Sequence, residues 1–318
     1  MQTVLHTWRA LRQAAALRLS PEFRKSHVIH ANTTRAGLYG SIACLGSGRP
    51  FVVHLRDMVT PESLGKVGAW IYSRVVLPKA NAVISNSEST LATAKPFIRS
   101  RTLVEVIPSP TGMTRPTFPV QTAKSVSRIG MVARIDPWKG QDMLIRAFAN
   151  VYKDQNVKLV LAGSPAFGHE DYWDDLHLLA GRLGVADQVQ FLGHVEDVGA
   201  LLHSLDVCVQ ASIRPEPLGQ NVLQYLYCGR PTIAANDGGP REWIEDGQTG
   251  LLFRTGDICS LENALRVIRD PDVRRELTTN ALRRSNVPSD QEISDRHANV
   301  FISVVGRQYN SNSGRDSR

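Results

Sequence analysis

Two cations separated by five positions are the residues whose spacing most clearly suggests chemistry. Arg134 and Lys139 follow an apolar stretch at 127–132 and precede residues with helical periodicity at 142–152, which places both on one strand-to-helix loop. A guanidinium binds phosphate oxygens through two parallel hydrogen bonds, an ammonium adds a compact charge, and a helix N-terminus adds free N–H groups. Together these groups suit a diphosphate. The alternative for an isolated pair of this kind is two solvated surface charges.

Glu216 is an acid in the same kind of position. Residues 206–211 have the composition of a buried strand, and residues 218–228 repeat apolar side chains at helical spacing until Gly229 ends the helix. A carboxylate beside an anion site is repelled unless it accepts hydrogen bonds from neutral hydroxyl groups, such as those of a sugar. The alternative is an ordinary first-turn acid that interacts favourably with the helix dipole.

Strands and helices alternate along the chain, and this alternation predicts parallel sheets covered by helices. In such sheets ligands bind beyond the carboxyl ends of the strands, which is where Arg134, Lys139 and Glu216 are predicted to lie. A Pro- and Thr-rich segment at 108–120 has the composition of a linker between two domains. The predicted strands cover residues 27–31, 50–55, 82–85, 104–107, 127–132, 158–163, 189–195, 206–211 and 232–235.

Length and composition limit the class of protein. The 318 residues are 42% apolar and 21% charged, which is ordinary for a globular protein of about two domains at ~150 residues each. The net charge of +7 favours anionic partners such as phosphates or acidic lipids. The basic residues do not gather on one helix or alternate with aromatic residues, so no nucleic-acid partner is expected. No apolar run approaches the ~20 residues that a membrane span requires.

The amino-terminal segment and the cysteines bear on location. Apolar residues at 5, 8, 11, 15 and 19 have helical spacing, but Arg9, Arg12 and Arg18 lie between them, so a signal peptide is not predicted. A basic amphipathic helix of this kind either packs against the sheet, which we favour, or lies on an anionic membrane surface. The four cysteines are scattered without a CxxC pair, which indicates free thiols in a reducing cytoplasm.

Residues 206–253 resemble the donor-site signature of the family-four retaining glycosyltransferases of the GT-B fold. The signature joins a serine, a glutamate, a leucine–glycine pair, a Gly-x-Pro strand entry and a Gly-Gly-x-x-Glu turn. One position departs from it, because Gln224 stands where the family has a second glutamate that accepts hydrogen bonds from the ribose hydroxyls. A neutral amide accepts one such bond without the charge, so donor affinity is the property affected. The matching residues are Ser212, Glu216, Leu218, Gly219, Gly229, Pro231, Gly238, Gly239 and Glu242.

The resemblance assigns roles to individual residues. It implies that Arg134 and Lys139 clamp the diphosphate of a nucleoside-diphosphate sugar and that Glu216 orients the hexose. His54, at the end of a strand, completes the implied catalytic set near the reacting sugar carbon; the alternative is a strand-end histidine satisfied by its neighbours. The family needs no bound metal and no cofactor, since the nucleoside-diphosphate sugar is a substrate. The implied donor-binding positions are Gly163, Val195, Pro217, Leu218, Gly219, Gln220 and Gln224.

The implied architecture is an α/β protein of the GT-B type, with two Rossmann-like domains facing across a cleft. We expect residues 1–120 to form a partial acceptor-side domain with its linker, and residues 121–288 to form the donor-binding domain. Residues 289–318 are expected to hold a C-terminal helix that crosses back to the first domain, followed by a disordered tail from residue 310. The family's opening strands and first glycine-rich loop have no counterpart here, so we expect the first domain to be incomplete.

The implied function is transfer of a sugar, with retention at the anomeric carbon, from a nucleoside-diphosphate sugar to a glycan, lipid-linked or small-molecule acceptor. We expect a hexosyltransferase of polysaccharide biosynthesis in the cytoplasm, with a peripheral position at the inner face of an anionic membrane as one option. The rival hypothesis is a catalytically inactive, truncated homologue that binds nucleotide sugars or acts as a scaffold. Gln224 and the incomplete first domain favour that rival.

Overall fold

The computed structural model of this chain describes residues 2–116, 122–166, 168–284 and 286–313. The chain divides into two compact units, one made of Met1–Pro110 with Ser289–Arg318 and the other of Thr111–Pro288. Within the predicted linker, residues 111–116 therefore belong to the second unit, and residues 117–120 lie outside the described residues.

The first unit is built on a parallel sheet whose strands lie side by side in chain order. The strands are Ile29–Ala31 (β1), Phe51–Leu55 (β2), Ala82–Ser85 (β3) and Leu103–Val106 (β4). Gln2–Leu19 (α1) and Pro21–Lys25 (α2) precede β1. The connections between the strands contain Thr34–Ala43 (α3), Pro61–Ile71 (α4) and Glu88–Ala94 (α5). Val52 and Val53 point to opposite faces and both are fully buried, so β2 is covered on both sides. Thr33, Thr60 and Ser87 each begin a helix by accepting an amide hydrogen bond.

The amino-terminal helix α1 packs mainly against α3. Ala14 is buried in this contact, and Arg18 donates a hydrogen bond to a backbone carbonyl at the end of α3. The opposite side leaves Trp8, Leu11 and Leu19 exposed by 68%, 50% and 65%. The sequence favoured a position against the sheet; instead the helix α3 provides the surface on which α1 lies.

The second unit is a Rossmann-like domain with a parallel six-stranded sheet in its described residues. The strands are Arg128–Val132 (β5), Lys158–Ala162 (β6), Val189–Gly193 (β7), Val207–Gln210 (β8), Thr232–Ala235 (β9) and Leu251–Phe253 (β10). The helices are Gln141–Tyr152 (α6), Glu170–Leu183 (α7), Val198–His203 (α8), Gln220–Tyr227 (α9), Pro240–Trp243 (α10), Ile258–Val267 (α11) and Pro271–Arg284 (α12). The strand order is β10-β9-β8-β5-β6-β7. The chain thus extends the sheet in one direction from β5 and then returns to place β8 on the other side of β5.

The last described helix, Asp290–Ser313 (α13), belongs to the first unit. Its apolar side chains Val300 and Val304 pack with Val52 and Ile84 of the first sheet, and Arg296 donates a hydrogen bond to a carbonyl of β4 at 2.6 Å. The expectation of a disordered tail from residue 310 is wrong for residues 310–313, which continue the helix, while residues 314–318 lie outside the described residues.

Candidate functional site

The predicted phosphate and sugar residues of the second unit follow neighbouring strands at one edge of the sheet. Arg134 and Lys139 follow β5, and Glu216 follows β8, which pairs with β5 in parallel. This pair of strands is where the chain reverses the direction in which it extends the sheet. Ligands of open α/β sheets bind at such a point, beyond the carboxyl ends of the strands. The structure therefore brings the three residues to the predicted edge.

Lys139 and Glu216 form an ion pair, with 3.0 Å between Nζ and Oε1. Both side chains are largely buried, with exposed fractions of 13% and 6%. The ammonium also lies 4.1 Å from the centre of the Trp138 ring, where a cation is attracted by the aromatic face. The sequence predicted separate roles for the two charges and missed that they contact each other.

A buried network holds the Glu216 carboxylate in one orientation. Its Oε1 accepts hydrogen bonds from Gln210 Nε2, at 2.8 Å, and from the hydroxyl of Ser212, in addition to the contact with Lys139. Gln210 Oε1 accepts from the amide of Ala235 at 2.9 Å, which fixes the side-chain amide so that Nε2 faces the carboxylate. The other oxygen of Glu216, Oε2, takes part in no hydrogen bond or ion pair with a described residue.

Gln210 is a site residue that sequence reasoning missed. It is 1% exposed and ends the strand β8, whose other residues are apolar or cysteine. A lone amide side chain at the carboxyl end of an otherwise apolar buried strand is the signal that could have found it, because a buried amide must find hydrogen-bond partners.

Two glycines allow the loops of the site to come together. Gly140 has φ +75°, and a Cβ there would lie 2.1 Å from the carbonyl oxygen of Ala211, so the Lys139 loop fits against the end of β8 only with glycine. Gly238 has φ +61°, and a Cβ there would lie 2.4 Å from the carbonyl oxygen of Glu216. The Gly-Gly turn after β9 therefore packs directly against the segment that carries Glu216.

The helix α9 begins next to this pair. The amides of Leu218 and Gly219 donate no hydrogen bond to any residue in the described parts of the chain. Pro217 is half-buried, and Gln220 is the first residue of the helix. Free N–H groups at a helix N-terminus attract anions, which matches the predicted role of this segment.

The strands β5, β6 and β7 are followed by Arg134, Gly163 and Val195, respectively. The side chain of Arg134 is exposed, and its carbonyl accepts a hydrogen bond from Gln141 at 2.7 Å, which ties the loop to the start of α6. The amide of Gly163 donates to the carbonyl of Gly193 at 2.7 Å. Val195 is half-buried against the core beside β6.

Gln224 lies one helical turn beyond the start of α9 and is half-buried. Its Nε2 donates a hydrogen bond of 3.1 Å to the carbonyl oxygen of Thr111. Thr111 is itself 2% exposed, so this bond joins α9 to the beginning of the second unit. The amide side chain thus has a partner within the chain, which a glutamate at this position could not bind in the same way because it has no donor.

His54, the remaining predicted catalytic residue, lies in the first unit near the end of β2. It is 5% exposed, and its buried Nε2 has no hydrogen-bond partner among the described residues. The centre of its ring lies 5.8 Å from that of His30 and 5.4 Å from that of His297. Burial, with added repulsion from Arg56 and the two histidines, lowers the pKa of His54 to about 3. The imidazole is therefore neutral at neutral pH.

The described residues contain no group of three or more His, Cys, Asp or Glu side chains placed to hold a metal ion. No helix in those residues combines the length and the apolar character needed to cross a membrane.

Comparison with protein families gives matches over most of the chain. The model described as "Glycosyl transferases group 1" matches residues 117–284, which is more than half of the chain. The model described as "Glycosyltransferase Family 4" matches residues 3–111. The two matches follow the division into two units.

Comparison with individual proteins adds relatives of known name. The D-inositol 3-phosphate glycosyltransferase of Stackebrandtia nassauensis is 29% identical over 250 residues, which are 72% of this chain and 55% of that protein. The trehalose synthase of Pyrococcus horikoshii is 31% identical over 173 residues, which are 52% of this chain and 41% of that protein. The chain spans about half the length of these curated relatives.

The solved structure of HepE from Anabaena, in complex with UDP and glucose, matches this fold with a TM-score of 0.76 at 26% identity. The match covers 96% of this chain and 80% of that chain. HepE has also been solved in complex with UDP-glucose. The predicted fold class, two Rossmann-like α/β domains of the GT-B type, is thereby confirmed.

Proposed function

The chain belongs to the group 1 glycosyl transferases, and from this membership we propose that it transfers a sugar from a nucleoside-diphosphate sugar to an acceptor with retention at the anomeric carbon. The observation that carries the proposal is the contact between Lys139 and Glu216 at the switch point of the second sheet. It places a cation suited to phosphate beside a carboxylate suited to sugar hydroxyls.

The positive groups of the site suit the leaving diphosphate. The ammonium of Lys139 has three N–H donors, so a contact with Glu216 leaves donors for phosphate oxygens. Arg134 on the same loop and the free amides of Leu218 and Gly219 add further donors. As the bond between sugar and diphosphate breaks, these groups stabilise the negative charge that develops, and no side chain needs to act as a strong nucleophile.

The carboxylate of Glu216 suits the hexose. Three donors converge on Oε1, so the group is oriented before a sugar arrives, and Oε2 remains to accept a hydrogen bond from a sugar hydroxyl. From the family resemblance we also propose that the neutral imidazole of His54, in the first unit, contacts a sugar hydroxyl. We therefore propose a hexosyl donor.

We propose that the site works without a metal or cofactor. Lys139, Arg134 and the helix N-terminus together supply the positive charge that a divalent cation supplies to diphosphates in other enzymes. Because HepE, at 26% identity, has been captured with UDP and with UDP-glucose, these ligands are the first donors to test here.

The acceptor is proposed to be a glycan or a lipid-linked sugar, as expected for polysaccharide biosynthesis in the cytoplasm. The helix α1 favours an additional contact with an anionic membrane, since it exposes Trp8, Leu11 and Leu19 among basic residues. An aromatic and aliphatic surface with interspersed arginines binds at the level of the lipid headgroups.

A second candidate function, a nucleotide-sugar binding protein without transferase activity, is favoured by one observation. Gln224 binds Thr111 within the chain, where the family's glutamate accepts from ribose. A site that has lost a ribose contact retains phosphate and sugar binding but turns over the donor poorly.

Mass spectrometry after incubation with UDP-glucose and other nucleotide sugars, with and without lipid-linked and glycan acceptors, distinguishes the two functions. Transfer requires a glycosylated acceptor and release of nucleoside diphosphate, and the Glu216→Gln variant should abolish both.

Arg134→Ala should weaken UDP binding by about 1.5–3 kcal/mol, the contribution of a charge-assisted hydrogen bond, and leave uridine binding unchanged. If Arg134→Ala loses equal affinity for UDP and for uridine, Arg134 does not belong to the site. If the unmodified chain binds the donor without turning it over, the second function, a nucleotide-sugar binding protein, is favoured.

A further inference from the structure

A basic cavity of about 170 Å³ lies at the end of the first sheet opposite to His54. It is formed where the chain enters β3 and β4, beside the last turns of α13. Four cations line it, namely Lys79, Arg99, Arg101 and Arg307, together with Asn81. Among the described residues, the lining includes no aspartate or glutamate.

The four cations lack compensating charge. None of them forms a salt bridge or side-chain hydrogen bond with a described residue. Like charges that surround one small space repel each other, and the repulsion is relieved by an anion or by counterions from solution. Arg99, Arg101 and Arg307 have exposed side chains, so solvent and ligands reach the cavity.

The positive charge continues along the same edge of the sheet. A neighbouring cavity of about 240 Å³ at the entrance to β2 is lined by Arg49 and His27, and its described lining residues include no acid. The guanidinium of Arg49 donates to backbone carbonyls, at 3.2 Å for that of Ser26, and it forms no salt bridge with a described residue. The two cavities share Gln308 on α13.

Size and donor type limit the ligand. A volume of 170 Å³ is smaller than the ~300 Å³ at which sites for drug-sized ligands begin. Guanidinium groups bind phosphate oxygens in pairs of parallel hydrogen bonds, and the Asn81 side chain adds an N–H donor because its oxygen already accepts from the amide of Phe51. A phosphate group therefore fits both the space and the donors.

We propose that this cavity binds the phosphate group of an anionic ligand, at a site separate from the donor site. That phosphate comes either from a free phosphorylated molecule or from the headgroup of an anionic lipid. The proposal does not depend on the proposed transferase function, because the cavity lies in the first unit and none of its residues belongs to the donor site.

The test uses the full chain carrying Arg134→Ala. This substitution weakens the binding of inorganic phosphate at the donor site, so the remaining binding reports on the cavity. Into this background we introduce Arg99→Gln with Arg101→Gln, and as a matched control Arg146→Gln with Arg182→Gln, two exposed arginines of the second unit. A second pair, Lys79→Gln with Arg307→Gln, removes the charges of the other two cations. Calorimetry with inorganic phosphate and flotation with phosphatidylglycerol or phosphatidylcholine vesicles form the two arms, and thermal melting verifies the fold.

We expect both cavity pairs to weaken binding at least tenfold in one arm, and the control pair to change it less than twofold. Loss in the phosphate arm identifies a free phosphorylated ligand, and loss only with phosphatidylglycerol vesicles identifies a lipid headgroup. Equal losses in the cavity and control pairs would reduce the effect to net charge and overturn the proposal, as would unchanged binding in both arms.

Discussion

The ammonium of Lys139 lies 3.0 Å from the carboxylate of Glu216, although the sequence assigned one of these charges to phosphate and the other to sugar. The contact means that each charge is partly neutralised before a substrate arrives, which lowers the cost of burying both. It also means that the two binding functions are coupled, because a change in either residue alters the electrostatic environment of the other.

The first prediction measures this coupling through stability. Lys139→Met leaves a carboxylate that is nearly buried with only neutral donors, so we expect a loss of about 3 kcal/mol in the free energy of unfolding. Glu216→Gln removes the opposite charge, and the double variant should be more stable than the sum of the two single losses by about 1–3 kcal/mol. Urea unfolding of the four proteins gives the coupling energy. Additive losses would show that the ion pair does not exist in solution.

The second prediction concerns Gln210, which positions Glu216 and does not itself face a substrate. Gln210→Leu should leave the Ala235 amide unsatisfied and remove one donor from Glu216 Oε1, at a cost of about 1–3 kcal/mol in stability. Because the carboxylate is then less firmly oriented, kcat for transfer should fall while the affinity for free nucleoside diphosphate stays within about twofold.

Gln190 provides the matched control for Gln210, since it lies on β7 of the same sheet with an exposed side chain. Gln190→Leu should leave both kcat and stability nearly unchanged. A loss of diphosphate affinity in Gln210→Leu equal to the loss of kcat would contradict a role that acts through Glu216 alone.

Nine of the ten strands in the described residues were predictable because they depend on local pattern, and β10 was not predicted. The contacts of the site, in contrast, depend on strand order. The runs that became β5 and β8 are recognisable from apolar and β-branched residues alone. That these two strands lie side by side, and so bring Lys139 to Glu216, follows from the packing of the whole sheet and has no local signal. The hydrogen bond between Gln224 and Thr111 has no local sequence signal either, because its acceptor is a backbone carbonyl, which every residue has.

Two expectations, for the position of α1 and for residues 310–313, are wrong for simple physical reasons. The helix α1 was expected against the sheet because its apolar spacing cannot specify whether a strand or another helix covers it; the structure shows α3 in that place. Residues 310–313 were expected to be disordered because they are polar, but they extend a helix that its earlier residues anchor to the sheet. Polar composition ends a helix only where no stable preceding turn supports it.

The third prediction is a dependence of stability on pH that originates from His54. Its pKa is lowered to about 3 in the folded chain by burial, by Arg56, and by His30 and His297 on β1 and α13, against 6.5 for the unpaired side chain. Between pH 3 and 6.5 the unfolded chain therefore binds more protons, so stability falls as pH falls through this window, with a slope of at most about 1.4 kcal/mol per pH unit from this residue.

His54→Phe should remove that part of the slope, as measured by chemical unfolding at several pH values between 4.5 and 7.5. His203→Phe is the matched control because His203 has an exposed side chain on α8. Some slope should remain in His54→Phe, since burial also lowers the pKa of His30. An unchanged slope in His54→Phe would show that the histidine is not buried in solution.

The last prediction concerns Gln224, where restoring the family's glutamate has two opposing effects. A carboxylate would accept charge-assisted hydrogen bonds from ribose, which are stronger than neutral ones by roughly 1 kcal/mol, so the affinity for the nucleotide sugar should rise by about fivefold. The same change also removes the Nε2 donor that now lies 3.1 Å from the carbonyl oxygen of Thr111, and it places an oxygen there instead. Two oxygens that face each other without a hydrogen should lower the free energy of unfolding by about 1–3 kcal/mol.

Gln224→Met separates the two effects, because it also loses the Thr111 bond but adds no acceptor for ribose. We expect both variants to melt at lower temperature and only Gln224→Glu to bind UDP-glucose more tightly, with the gain disappearing for a donor that lacks both ribose hydroxyls. A gain that persists without those hydroxyls would place the added carboxylate elsewhere than at the ribose. Equal donor affinity in Gln224→Glu and Gln224→Met would mean that this position serves the link to Thr111 and not the nucleotide.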